Sequence, residues 1–345
     1  MTPRRLTSGI TSGITSGITS AITPAIASSI ATALLMSVLV SASLPAAPAF
    51  AADRAITAAP DATARPTIGL ALGSGGANGL AHIAILQVFD DLGIVPDRIA
   101  GTSIGAVIGG LYAAGLSAEE IHDIFDDVAG SPLDAVSGLA ESDLKLRQLL
   151  PFRREEAGLL DSRGFLRFLA SHTEVRAFEG LRIPLEIVAT DYWTGDSVIL
   201  DEGPLFPAIG ASMAVPGLFV PVSHGEQLLI DGGTSNPLPF DLFDGEVDLV
   251  IAVDVSGSQP RDEGEEIGLT DMLFQSFKIT QKAIIRQSLR YRPPDLYLRP
   301  ETQGVRLLHF HRLDEILRQT APAAKVLRER LEGWRAPPTG TAPPS

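Results

Sequence analysis

The chain has 345 residues, with 41 acidic against 27 basic side chains and a formal net charge of −14. So acidic a composition argues against a nucleic-acid partner and against electrostatic docking to anionic lipid, leaving apolar contact as the expected route to any membrane. Cysteine is absent, which excludes disulfides, a thiol nucleophile and a lipid-modified cysteine anchor.

Residues 1–51 combine Arg4 and Arg5, no acid, an apolar run over 30–44 and the small-x-small ending Ala49-Phe50-Ala51. That order predicts a signal peptide cleaved near Ala51, with the product exported to the periplasm or beyond. The run is shorter than the roughly 20 apolar residues that span a bilayer. Residues 52–66, rich in Ala, Pro and Thr, predict a linker, and 336–345 a disordered tail. The interval 67–335 is long enough for one large domain with its own core.

Within that domain the pattern predicts strands at 67–72, 98–101, 185–190, 197–200, 227–230 and 247–255, and helices at 80–92 and 104–114. Strands alternating with helices imply an α/β fold of three layers, a largely parallel sheet with helices on both faces. The basic run Lys145, Arg147, Arg153 and Arg154 is expected to be a solvated face. Leu269, Met272, Leu273, Phe277, Ile284 and Ile285 recur near helical spacing and are expected to pack into the core.

Three elements carry candidate chemistry. Gly73-Ser74-Gly75-Gly76-Ala77-Asn78-Gly79 ends the first strand and opens the first helix. Its free backbone N–H groups could cradle a phosphate or the oxyanion of an acyl intermediate. A dinucleotide site would need an acid closing the second strand, and a Walker loop would need Gly-Lys-Ser or Gly-Lys-Thr. Neither is present, so the oxyanion reading stands ahead of these, level with a plain helix-opening turn; its donors would be Gly75, Gly76 and Ala77. Gly101-Thr102-Ser103-Ile104-Gly105 lies between the second strand and the second helix, where a serine in a tight turn would be exposed as a nucleophile. Asp231-Gly232-Gly233 ends an apolar strand. An Asp-Gly pair there is commonly a turn, yet it also places a carboxylate at the sheet edge where sites form.

Together these elements resemble the patatin-like phospholipase family, its bacterial members and the related catalytic region of neuropathy target esterase. The blocks Val188-Ala189-Thr190-Asp191, Ala211-Ser212-Met213-Ala214-Val215-Pro216-Gly217 and Asp231 to Pro239 look like family blocks in family order. The resemblance implies a patatin-like fold and a Ser103–Asp231 dyad without histidine. It also implies hydrolysis of phospholipid or other acyl-ester lipids, no metal or other cofactor, and room for peripheral membrane contact. The chain departs from the family at Asn78, where a cationic residue is usual, and arginine there is expected to be tolerated.

His82 is expected to be a packing residue and Asp191 to order its own loop. Two rival readings remain. One is an α/β-hydrolase triad completed by His309 or His311. The other is an exported lipid binder that kept the fold without the chemistry.

Overall fold

The computed structural model describes residues 65–129, 162–257 and 269–335. The expected leader, nearly all of the linker, the tail and the Lys145–Arg154 basic run lie outside the described residues.

Strand β1 (Ile68–Leu72) is buried at all five positions, as a central parallel strand covered on both faces must be. It pairs in parallel with β2 (Arg98–Thr102) on one edge and β7 (Leu249–Val253) on the other, and β8 (Leu296–Leu298) extends the sheet beyond β7. β2 pairs in parallel with β3 (Leu185–Asp191). The remaining strands, β4 (Ser197–Leu200), β5 (Val222–His224) and β6 (Gln227–Asp231), are antiparallel to their partners. The sheet is therefore mostly parallel with an antiparallel flank.

β3 positions the site. Ile187 and Val188 pair with both β2 and β4, whereas Ala189 and Thr190 pair with both β4 and β6. A strand has only two hydrogen-bonding edges. β4 therefore occupies one edge, and β2 and β6 meet end to end along the other. Thr102 pairs with Val188 and Asp231 with Ala189, so the end of β2 and the end of β6 face each other one residue apart.

Pleating sorts β1 between two cores. Leu70 and Leu72 join the larger cluster, with residues of α1 (Ala81–Leu92), α2 (Ile104–Ala113), α3 (Ala118–Ala129), α4 (Arg163–Ala170), α5 (Leu205–Ser212) and α7 (Leu313–Arg335). Ala71 faces the other way with Ala100 and Ala252, against Leu238, Phe240, Phe243 and Ile285 of α6 (Leu269–Tyr291). These two cores make the expected three layers.

The expected apolar stripe of α6 packs only in part: its member Ile285 is buried in the core. Met272 and Leu273 are 56% and 55% exposed. The face turned inward is that of Lys278, Gln281 and Ile285, spaced three and four apart as one helix face requires. Only Ile285, which the expected stripe included, is apolar, so a search for hydrophobic period finds one of these three residues and misses the two polar ones. Among the described residues no helix is long and apolar enough to cross a membrane.

Candidate active site

β2 delivers Ser103 into a turn that only a tightly packed backbone can hold. Ser103 has φ 57° and ψ −120°, and it is the one non-glycine with positive φ among the described residues. A left-handed serine is held there by what surrounds it. Its N–H donates to Ser212 Oγ at 2.8 Å, and Ser212 in turn donates to Val188 O at 2.6 Å. Its carbonyl accepts the N–H groups of Ala106 and Val107 in the first turn of α2. Gly105 is a steric necessity, because a Cβ there would lie 2.0 Å from Leu72 O. A Cβ at Gly101 would lie 2.7 Å from Gly105 O, also too close for a side chain.

Asp231, at the end of β6, is fully buried. Ser103 Oγ donates to Asp231 Oδ2 at 2.6 Å, and Gly233 N–H donates to Asp231 Oδ1 at 2.7 Å. Gly232 sits against Val188 O with no space for a side chain. Burial pushes the Asp231 carboxyl from the ordinary 3.8 up to about 7, opposed by the hydrogen bonds from Ser103 and Gly233. A carboxylate in contact with a serine hydroxyl, with a pKa near neutrality, is able to accept its proton.

The glycine loop follows β1 on the neighbouring strand. Gly73 N–H donates to Val253 O and Ser74 N–H to Pro237 O, which fixes the loop's base. Gly79 packs on Ile104, the residue after Ser103, and so ties the loop's far end to the elbow. Gly76 has φ 57°, a conformation that glycine adopts without strain. The N–H groups of Gly75 and Gly76 make no hydrogen bond among the described residues, but that of Ala77 donates to Leu307 O at 2.8 Å. This corrects the expected donor set: Ala77 is already engaged, because the 3-10 turn Gly76–Leu80 docks on the chain ahead of α7. Ile104 and Gly105 add two unengaged N–H groups at the start of α2, where a helix leaves donors free and its dipole is positive.

Asn78 is built into the scaffold. It is 1% exposed, accepts from Thr302 Oγ1 at 2.7 Å, donates to Gly75 O at 3.3 Å and packs on Gly257. Arginine there would have to displace these contacts. His82 is buried with Nε2 2.9 Å from Gly73 O, and burial pushes it down to about 4, so the ring is neutral and braces the loop. Asp191 Oδ1 accepts the N–H groups of Trp193 and Thr194 and orders that turn. His309 and His311 lie beside each other around the 3-10 turn Phe310–Arg312, their rings 5.1 Å apart. Asp231 directs its oxygens to Ser103 and Gly233.

Sequence reasoning missed two contributors. Ser212 lies in one of the quoted blocks, but nothing in that block marks it as the acceptor for Ser103. Gln281 of α6 is 2% exposed and donates through Nε2 to Ser74 Oγ at 2.9 Å. Polar residues buried in a helix face were the available signal.

The sequence profile of the patatin-like phospholipase family matches residues 70–244. That interval holds the glycine loop, the elbow and Asp231, and it is about half of the chain. The chain belongs to the patatin-like phospholipase family. An uncharacterized NTE family protein of Mycobacterium tuberculosis is 39% identical over 210 residues, covering 56% of this patatin-like chain and 50% of its own length. A second from the same organism is 35% identical over 196 residues, covering 55% and 30%. The chain thus spans about half the length, or less, of these curated relatives. Among solved structures, VipD from Legionella pneumophila is similar at TM-score 0.43 and 13% identity, over 77% of this chain and 67% of that one.

Proposed function

We propose that this patatin-like protein is a serine acyl hydrolase that cleaves the acyl esters of lipids, phospholipids among them. The observation that carries the proposal is the 2.6 Å hydrogen bond from Ser103 Oγ to a buried Asp231 carboxylate, beside a loop with free backbone donors.

In the proposed reaction Asp231 takes the hydroxyl proton as Ser103 Oγ attacks the ester carbonyl. The carbonyl oxygen becomes an oxyanion held by Gly75 and Gly76 N–H, with the positive end of α2 behind Ser103. Collapse expels the alcohol, which takes the proton from Asp231, and leaves an acyl-Ser103 ester. Water, deprotonated by the same carboxylate, attacks that ester and frees the fatty acid. The direct Ser–Asp contact also supports a dyad over a triad through His309 or His311.

Export through the leader and peripheral membrane contact belong to the same proposal. Met272, Leu273 and Ile279 on α6 are each more than half exposed, on the helix whose Gln281 reaches the glycine loop. Apolar residues so placed suit a lipid surface better than charge would in a chain this acidic. N-terminal sequencing of the protein recovered outside the cytoplasm should begin near Ala52. A start at Met1 would remove the export claim.

A fluorophosphonate tests the chemistry. It should label Ser103, located by mass spectrometry, and the adduct's phosphoryl oxygen should lie about 2.7–3.1 Å from the Gly75 and Gly76 nitrogens. Labelling at another serine, or none in folded protein, would overturn the hydrolase reading.

A further inference from the structure

Helix α6 crosses the sheet with its C-terminal half against the core and its N-terminal half beyond the strand ends. Ile285 packs with Ala71 of β1, whereas Gln281, one turn earlier, bonds Ser74, just past the end of that strand. The Gln281 Nε2 also borders Gly233, which binds Asp231. Moving toward the helix N-terminus is therefore moving outward past the C-terminal ends of the strands. Lys278 is the next residue on this face, about 4.5 Å farther along the axis. Long helical side chains lean toward the N-terminus, so its ammonium is carried farther out over the cleft.

Lys278 is 8% exposed, yet it makes no hydrogen bond or ion pair among the described residues. An ammonium so buried is costly unless something pairs with it. Burial first and Lys282 second push it down to about 8, with no carboxylate acting in the other direction. The surroundings are cationic as well. Lys282 lies one turn away, and Arg299 stands 3.8 Å from Asp254. Asp254 is the carboxylate that acts on Lys282, but it is already bound by the Tyr297 hydroxyl at 2.6 Å and by Ser256 N–H. In a chain with a net charge of −14, this local excess of positive charge stands one turn of α6 from Gln281, which reaches the glycine loop.

We infer that Lys278 binds a phosphate group of the substrate, so that the cleft selects phosphate-bearing acyl esters over uncharged ones. The inference rests on the hydrolase reading and deepens it. The acyl ester would lie at Ser103 with the lipid headgroup under α6.

The test uses the full chain and two esters of the same acyl chain, a glycerophospholipid and an uncharged acylglycerol. The readout is the ratio of their kcat/KM values. Lys278→Met should lower that ratio about 10- to 100-fold, mostly through KM for the phospholipid, the scale for a charged hydrogen bond of about 1.5–3 kcal/mol. Lys278→Arg should keep the ratio within about three-fold, since the charge is retained. Fluorophosphonate labelling of Ser103 establishes that each variant is folded. An unchanged ratio in a labelled Lys278→Met protein would overturn the inference and leave the hydrolase reading standing. Hydrolysis of neither ester by the parent protein would sink both. Inorganic phosphate that alters acylglycerol turnover in the parent but not in Lys278→Met, with the ratio unchanged, would assign the site to free anion and overturn the headgroup assignment.

Discussion

Around Ser103 and Asp231 the backbone is packed so closely that Gly101, Gly105 and Gly232 admit no side chain, and the two side chains are hydrogen-bonded to each other, with Ser212 and Gly233 holding them. Helix α6, which borders the same cleft, is the reverse. It places an unpaired lysine inward and leaves Met272, Leu273 and Ile279 outward. The first region is built on backbone geometry, so in the proposed reaction one geometry would serve any acyl ester. The second is built on side chains over that geometry, and in the same proposal they would decide which ester arrives. Chemistry and selectivity are then separable, and variants in the two regions should fail differently.

The largest effect is expected at Asp231. Asp231→Asn keeps the shape and the acceptor for Gly233 but removes the base, so ester turnover should fall by about 10⁴-fold. The same variant should gain stability near neutral pH. The folded carboxyl titrates at about 7 against 3.8 in the unfolded chain, so between those values the folded state holds a proton that the unfolded state releases. Stability therefore falls as pH rises from about 4 to 7, and the cost is complete above that window. Melting curves at pH 5 and pH 8 should show the parent losing more than the variant. Equal pH dependence in both would mean that Asp231 is not buried as an acid.

Next in size is the contrast between two glycines. Gly105→Ala would drive a Cβ into Leu72 O, and the obstacle is strand backbone that cannot yield. A loss of several kcal/mol or failure to fold is expected. Gly164→Ala in α4 meets nothing within 4 Å and should gain about 0.5–1 kcal/mol as a helix substitution. Urea titrations compare them directly. A mild effect at 105 would contradict the close approach of α2 to β1 on which the elbow rests.

Ser212→Ala should have a middling effect. It leaves the Ser103 N–H buried without its acceptor, a cost of about 1–3 kcal/mol, and it frees the elbow to relax. Turnover should drop about ten-fold, with labelling of Ser103 slowed but still present.

Legibility in the sequence follows the same division. The elbow, the glycine loop and the Asp-Gly turn were readable because close backbone approach demands glycine at fixed spacings. The strands at 68–72, 98–102 and 197–200 were readable because burial on both faces, or alternation, marks them. Ala77 was misassigned because its N–H is taken by Leu307, a contact between segments far apart in sequence. The contacts of Asn78 with Thr302 and Gly257 were unreadable for the same reason. The inward face of α6 was readable only at Ile285, because its other two residues are polar. The antiparallel junction of β6 with β3 follows from pairing, which no local pattern encodes.

The smallest expected effect is at the two histidines, and it tests whether the paired region is closed as described. A triad would require a carboxylate oxygen of Asp231 to hold an imidazole, with the other ring nitrogen on Ser103. One oxygen instead takes the serine hydroxyl directly and the other takes Gly233 N–H. His309 Nδ1 accepts the Arg306 N–H at 3.2 Å and its ring lies beside that of His311, which gives both a local structural role ahead of α7. His309→Ala, His311→Ala and the double variant, each verified as folded, should keep ester turnover within about two-fold of the parent. A drop of several orders of magnitude in any of them would place an imidazole between serine and acid during turnover, and the direct proton transfer from Ser103 to Asp231 would have to be abandoned.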